Sequence, residues 1–209
     1  MVKKWLQRGG GERFGRLFQR LLFYADTQGN NNCVLDTLGN MSDFNISELK
    51  VLVVDDYEPM LLILKRVLRA LGIRDIKESH SGEHALKTLE TNEIDIIFTD
   101  NLMEPMGGID LVRNIRSGEH GTDPFASIIM VSGELGMDKI VEARDAGINE
   151  FLAKPISAKL LYKRICSIIE NPRPFIRTES YFGPDRRRRQ LEFMGEDKRQ
   201  IAYDYSKGM

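Results

Sequence analysis

Three short apolar runs constrain this chain more than any other feature. They are KVLVV (Lys50 to Val54), DIIFT (Asp95 to Thr99) and SIIMV (Ser127 to Val131). None alternates apolar with polar residues, so each predicts a strand buried on both faces, as in a parallel sheet covered by helices. Between and after them the pattern changes to helical. Leu61, Leu62, Leu64, Val67, Leu68 and Leu71 form one stripe that stops at Gly72. Gly82 to Leu89, a face built on Ile109, Leu111, Val112 and Ile115, Met137 to Ala146, and a last stripe from Leu160 to Ile169 predict four more helices. Two weaker strands are expected at Asp75 to Ser79 and Glu150 to Ala153. Strand and helix alternate five times, which implies an α/β fold with a doubly wound, five-stranded parallel sheet.

In such a sheet the working site lies beyond the carboxyl ends of the strands. The residues there are Asp55, Asp56, Asp100, Ser132 and Lys154. Singly they are ordinary, since an aspartate after a strand commonly caps a helix. Together they put three carboxylates, a hydroxyl and an amine on one rim. Two carboxylates about 4 Å apart repel by roughly 4 kcal/mol at an effective dielectric of 20. A hard divalent cation such as Mg²⁺, set between Asp55, Asp56 and Asp100, offsets that repulsion.

The chain has 209 residues, 42% hydrophobic and 29% charged, with a formal net charge of −1. This mix suits a globular protein and excludes a general polyanion binder. The two cysteines, Cys33 and Cys166, stand in no CxxC pattern, which argues against a disulfide framework and a zinc site and for a cytoplasmic setting. No apolar run reaches the roughly 20 residues that span a bilayer.

Three parts are expected: an N-terminal extension over 1–45, the α/β domain over 46–170, and an arginine-rich C-terminal tail over 171–209, with both ends flexible. In the first part, RFGRLFQRLLF alternates Phe14, Leu17, Phe18, Leu21 and Leu22 with three arginines, a basic amphipathic pattern. It suggests either membrane contact by 13–23 or a poorly ordered extension. Met41 opens MSDFNISELKVLVVDD, an ordinary-looking start, so the first 40 residues read either as a disordered extension or as one not made in the cell. The tail carries FIRTESYFGPDRRRRQ, whose four arginines, Arg186 to Arg189, could grip phosphate or be a solvated charged face.

From about Leu49 to Ile169 the sequence resembles the CheY-like receiver domains of response regulators in bacterial two-component signalling. The resemblance rests on the pair Asp55-Asp56, on Asp100, on Ser132 followed by Gly133, and on Lys154-Pro155, five landmarks in register with five strands. The segment DNLMEPMGG resembles the family's loop after its phosphorylated aspartate, except that the usual proline after the methionine is Glu104, with Pro105 one place later. The resemblance implies a flavodoxin-like (βα)5 fold and a phosphoprotein that is not an enzyme. Asp100 would accept a phosphoryl group from a sensor histidine kinase or phosphotransfer protein. Asp55, Asp56, Asp100 and the backbone carbonyl of Leu102 would bind Mg²⁺, while Ser132 and Lys154 would contact the phosphoryl oxygens. Phe151 matches the family's aromatic switch, and the Met137–Ile169 face would meet a downstream protein. Lys154-Pro155 is expected to be cis. Leu102 and Glu134 would border the path of a hydrolytic water. The implied function is that of a stand-alone response regulator. Competing readings are a transcriptional or other nucleic-acid-binding effector that uses the arginine tail, and a phosphate sink without an output partner.

Overall fold

The computed structural model describes residues 46–134, 136–187 and, as backbone, 200–203. The segment 13–23, Cys33, Arg188 and Arg189 lie outside the described residues, as do the readings that depend on them.

The strands are β1 (Lys50–Val54), β2 (Asp75–Ser79), β3 (Ile96–Asp100), β4 (Ser127–Ser132) and β5 (Glu150–Ala153). The helices between and after them are α1 (Glu58–Ala70), α2 (Gly82–Thr91), α3 (Gly108–Ser117), α4 (Met137–Ala146) and α5 (Ala158–Glu170). The five strands pair in parallel in the order β2-β1-β3-β4-β5. The apolar runs are two-sided, as their composition predicts. Val51, Val53, Ile96, Phe98, Ile129 and Val131 face a core shared with α1 and α5. Leu52, Val54, Ile97, Ile128 and Met130, one residue out of phase, face a second core under α2, α3 and α4. Fully burying each such side chain contributes about 1.5–3 kcal/mol, which is why the three central strands define the fold.

Local signals set the ends of the helices. Ser81 and Ser157 accept hydrogen bonds from His84 N and Leu160 N at the starts of α2 and α5. Gly118 and Gly147 end α3 and α4 in the left-handed region, φ 67° and 105°, which glycine enters without a Cβ clash. The Lys154–Pro155 bond is cis as expected, and so is Glu104–Pro105.

Part of the expected C-terminal tail over 171–209 packs against the domain. Residues 175–184 form two short antiparallel strands, β6 (Phe175–Arg177) and β7 (Phe182–Pro184), and β8 (Gln200–Tyr203) pairs with the other edge of β6. The hairpin packs under the amino ends of β4 and β5. Phe175 is 1% exposed. Its ring lies 5.0 Å from that of Phe125, in the loop before β4, and 5.7 Å from that of Phe182. Arg116, at the end of α3, is buried beneath it. Its guanidinium donates to the carbonyls of Gly147, Pro124 and Ala126 and to Asn149 Oδ1, and it lies 5.1 Å from the Phe175 ring centre. The segment appears polar in sequence because its apolar residues are few. They are nonetheless the ones that find partners.

Candidate functional site

The strand order reverses direction at β1 and β3, and the crevice at their carboxyl ends holds the acidic residues. Asp55 follows β1 and is 1% exposed, and Asp100 ends β3 and is 7% exposed. Lys154 follows β5 and reaches across β4 and β3 to both. Its Nζ is 2.7 Å from Asp100 Oδ1 and 3.2 Å from Asp55 Oδ2. The remaining oxygens of the two aspartates are held by backbone amides. Tyr57 N donates to Asp55 Oδ1 and Leu102 N to Asp100 Oδ2, at 2.9 and 2.8 Å.

Burial pushes the Asp55 carboxyl above its usual range, against the Tyr57 amide and the Lys154 ammonium, which favour its ionised form. Burial also works against the ammonium of Lys154. The hydrogen bond and charge of Asp100, with those of Asp55, outweigh it and raise Lys154 above the usual lysine value. The amine is therefore a fixed cation between two carboxylates.

Asp56 is exposed and turned outward, where it accepts from Glu104 N at 3.4 Å. Ser132 ends β4, is buried, and accepts from Glu134 N through Oγ at 3.1 Å. This leaves its hydroxyl proton to donate. Phe151, opposite Met130 in the β4–β5 register, is half-buried and packs on the α2–α3–α4 side of the sheet. All the side chains singled out in the sequence thus lie on the carboxyl rim except Phe151, which sits within β5.

The loop after Asp100 is shaped by close approach. A Cβ on Gly108 would lie 1.9 Å from the Asp100 carbonyl oxygen, so only glycine lets α3 start directly beneath Asp100. Leu102 stands 62% exposed on this loop, beside an open cleft also lined by Asp56, Glu104, Arg113 and Glu134.

Sequence reasoning missed the amide partners Tyr57, Leu102 and Glu104, because a backbone N–H carries no residue signature. It also missed the hydrogen bond from Asn101 Nδ2 to Glu134 Oε2 (3.2 Å), which joins the loops after β3 and β4.

The rim's donor chemistry suits a hard cation: three carboxylates against one ammonium, with oxygen as the donor atom throughout. Among the described residues, however, no three acidic, imidazole or thiolate side chains already converge on a common point. Lys154 stands between Asp55 and Asp100, and Asp56 points to the Glu104 amide.

Residues 51–166 match the model of the response regulator receiver domain. The chain belongs to that family. It is 38% identical over 122 residues to the chemotaxis protein CheY of Pseudomonas aeruginosa, covering 58% of this chain and 97% of the relative. CheY-3 of Vibrio cholerae is 36% identical over 122 residues, covering 58% and 92%. Among solved structures, Vibrio cholerae CheY4 superposes with a TM-score of 0.53 at 26% identity, covering 57% of this chain and 98% of its own. A CheX–CheY–BeF3–Mg²⁺ complex from Borrelia burgdorferi superposes at 0.52 with 25% identity, covering 57% and 88%. The receiver match ends at residue 166, short of the packed hairpin 175–184.

Proposed function

We propose that this chain is a stand-alone response regulator, phosphorylated on Asp100, that signals by a phosphorylation-switched contact with another protein. The observation that carries the reading is the Asp55–Lys154–Asp100 cluster, a nearly buried carboxylate bridged by a fixed cation to a second carboxylate across the switch point of the sheet.

The donor is the phosphohistidine of a sensor histidine kinase or phosphotransfer protein. An Asp100 oxygen attacks phosphorus, the phosphorus–nitrogen bond breaks, and the imidazole leaves with the bonding pair. Leu102 N orients the acceptor through its other oxygen. Lys154 exchanges its contact with Asp100 for the incoming phosphoryl oxygens as a compact point charge. The Ser132 hydroxyl donates to one of them. Asp55, Asp56, Asp100 and the Leu102 carbonyl would hold Mg²⁺. The Borrelia relative, crystallised with Mg²⁺ and BeF3, supports that assignment by analogy. When bound, the ion neutralises the carboxylates and the phosphoryl oxygens that approach them. Movement of Ser132 toward the phosphoryl opens space for Phe151, which has no hydroxyl and so reports by packing alone. The contact surface is the Met137–Ile169 face, where Met137 is 74% exposed. The protein has no substrate other than itself and works in the cytoplasm. The arginine tail does not favour the nucleic-acid reading, because Arg177 and Arg186 lie over the hairpin's own rings, Phe182 and Tyr181.

The test is intact mass after incubation with acetyl phosphate and Mg²⁺. The wild type is expected to gain one phosphoryl group, and to gain none when the metal is chelated. Asp100→Asn should gain none in either case. An Asp100→Asn protein that is modified at the wild-type rate would overturn the assignment.

A further inference from the structure

The C-terminal hairpin does more than cover the bottom of the sheet. It holds one end of α4, the helix that follows the Ser132 loop. Helix α4 is weakly anchored by its own side chains: of its ten residues only Ala143 and Ala146 are buried, and Met137 and Val141 stand exposed. Few buried apolar groups mean low local stability, the property of elements that move. The far end of α4 is tied down from the tail. Arg186 Nη1 is 3.2 Å from Asp145 Oδ1 in the last turn. The Arg186 guanidinium also lies 4.0 Å from the centre of the Tyr181 ring, whose hydroxyl donates to Pro184 O. At the helix cap, a Cβ on Gly147 would lie 3.1 Å from Phe182 O, so β7 rests directly on the turn that ends α4. Arg116 donates to the Gly147 carbonyl from the other side.

We infer that residues 173–187 are a clamp that pivots α4 at its carboxyl end and opposes the phosphorylated arrangement, so that phosphorylation of Asp100 and seating of the hairpin are energetically linked. This rests on the phosphoacceptor reading above. The sign follows from what the hairpin holds while the Ser132 loop moves. Here Lys154 pairs with Asp100 and Glu134 N donates to Ser132 Oγ, contacts that a phosphoryl group on Asp100 would replace. When Ser132 moves toward a phosphoryl group it draws on the loop that leads into α4, while Arg186 and β7 hold the other end. Linkage then requires the effect to run both ways: loosening the clamp must favour the phosphoryl-bound state, and a phosphoryl group must loosen the clamp.

The test uses the full chain, with beryllofluoride and Mg²⁺ as the phosphoryl mimic. Affinity is measured by calorimetry for the wild type, Arg186→Gln, Asp145→Asn and the double variant. Amide exchange is followed in β6 and β7 with and without the mimic. Each single variant is expected to bind about two- to fivefold more tightly, the range of an exposed ion pair, and the double variant no more tightly than either single. In the wild type the mimic should speed exchange in β6 and β7. Unchanged affinity in both single variants, weaker affinity, or exchange that the mimic leaves unaltered would each overturn the clamp while leaving the phosphoacceptor reading in place. A wild type that binds no mimic would overturn that reading and the clamp with it.

Discussion

Asp55 shows how burial and charge pull against each other on one side chain. Its folded-state pKa is raised, chiefly by desolvation, so its ionised form is disfavoured by folding. The stability linked to its protonated form is fully present below the ordinary carboxylate value of about 3.9 and is lost as pH rises through the raised folded value. Asp55→Asn keeps an acceptor for Tyr57 N and removes the charge. The metal-free variant is therefore expected to be more stable than wild type at neutral pH, with the advantage shrinking as pH falls through the titration of Asp55. Thermal unfolding at a series of pH values checks this, and a variant less stable at neutral pH would show that the ion pair with Lys154 dominates. Leu102 is the other residue with a distinct consequence. It stands exposed beside Asp100 with no polar atom to hold a water, while Glu134 is engaged by Asn101. We expect slow autodephosphorylation in the wild type, and a rate about tenfold faster in Leu102→Asn, which needs only about 1.4 kcal/mol off the barrier. Phosphate release from the isolated phosphoprotein measures it, and equal rates would assign the lifetime to partner proteins.

Among the elements, the turn from β3 into α3 is the tightest. With 1.9 Å between a Cβ at position 108 and the Asp100 carbonyl oxygen, Gly108→Ala must displace the helix start or Asp100 itself. Overpacking typically costs about 1–3 kcal/mol. The expected outcome is a folded but destabilised protein with a lower yield of phosphorylation by acetyl phosphate; an unchanged yield would mean that α3 yields and the acceptor does not. The hairpin β6–β7 is the opposite case, an element with little sequence signal and a large packing role. Phe175 is enclosed by Phe125, Phe182 and the Arg116 guanidinium. Phe175→Ala is expected to cost about 3–5 kcal/mol of global stability in urea unfolding. A cost below about 1 kcal/mol would mean that the hairpin detaches without consequence for the domain.

For the whole molecule, without a phosphoryl mimic, the receiver and its hairpin should unfold in a single thermal or urea transition, because Phe175 packs on both Arg116 and Phe125 of the receiver. What the sequence determined by itself was the sheet, its parallel sense and the rim. Apolar runs of strand length between helical stripes have few other ways to be buried, and the side chain ending such a run must emerge at the sheet's edge. Asp55, Asp100, Ser132 and Lys154 were legible for that reason alone, before any likeness to a family. The tertiary structure decided what depends on chain segments meeting. Lys154 and Asp55 are 99 positions apart, and only the strand order β1-β3-β4-β5 places the amine between the two carboxylates. The amides of Tyr57, Leu102 and Glu104 take their aim from loop geometry, which residue identity does not encode. Nothing in the sequence marks the hairpin within the tail, because Phe175, Tyr181 and Phe182 follow neither a helical nor an alternating period over any useful length. Their packing depends on a surface that exists only once α3, β4 and β5 have assembled, and a short segment that borrows its core from elsewhere leaves no periodicity of its own.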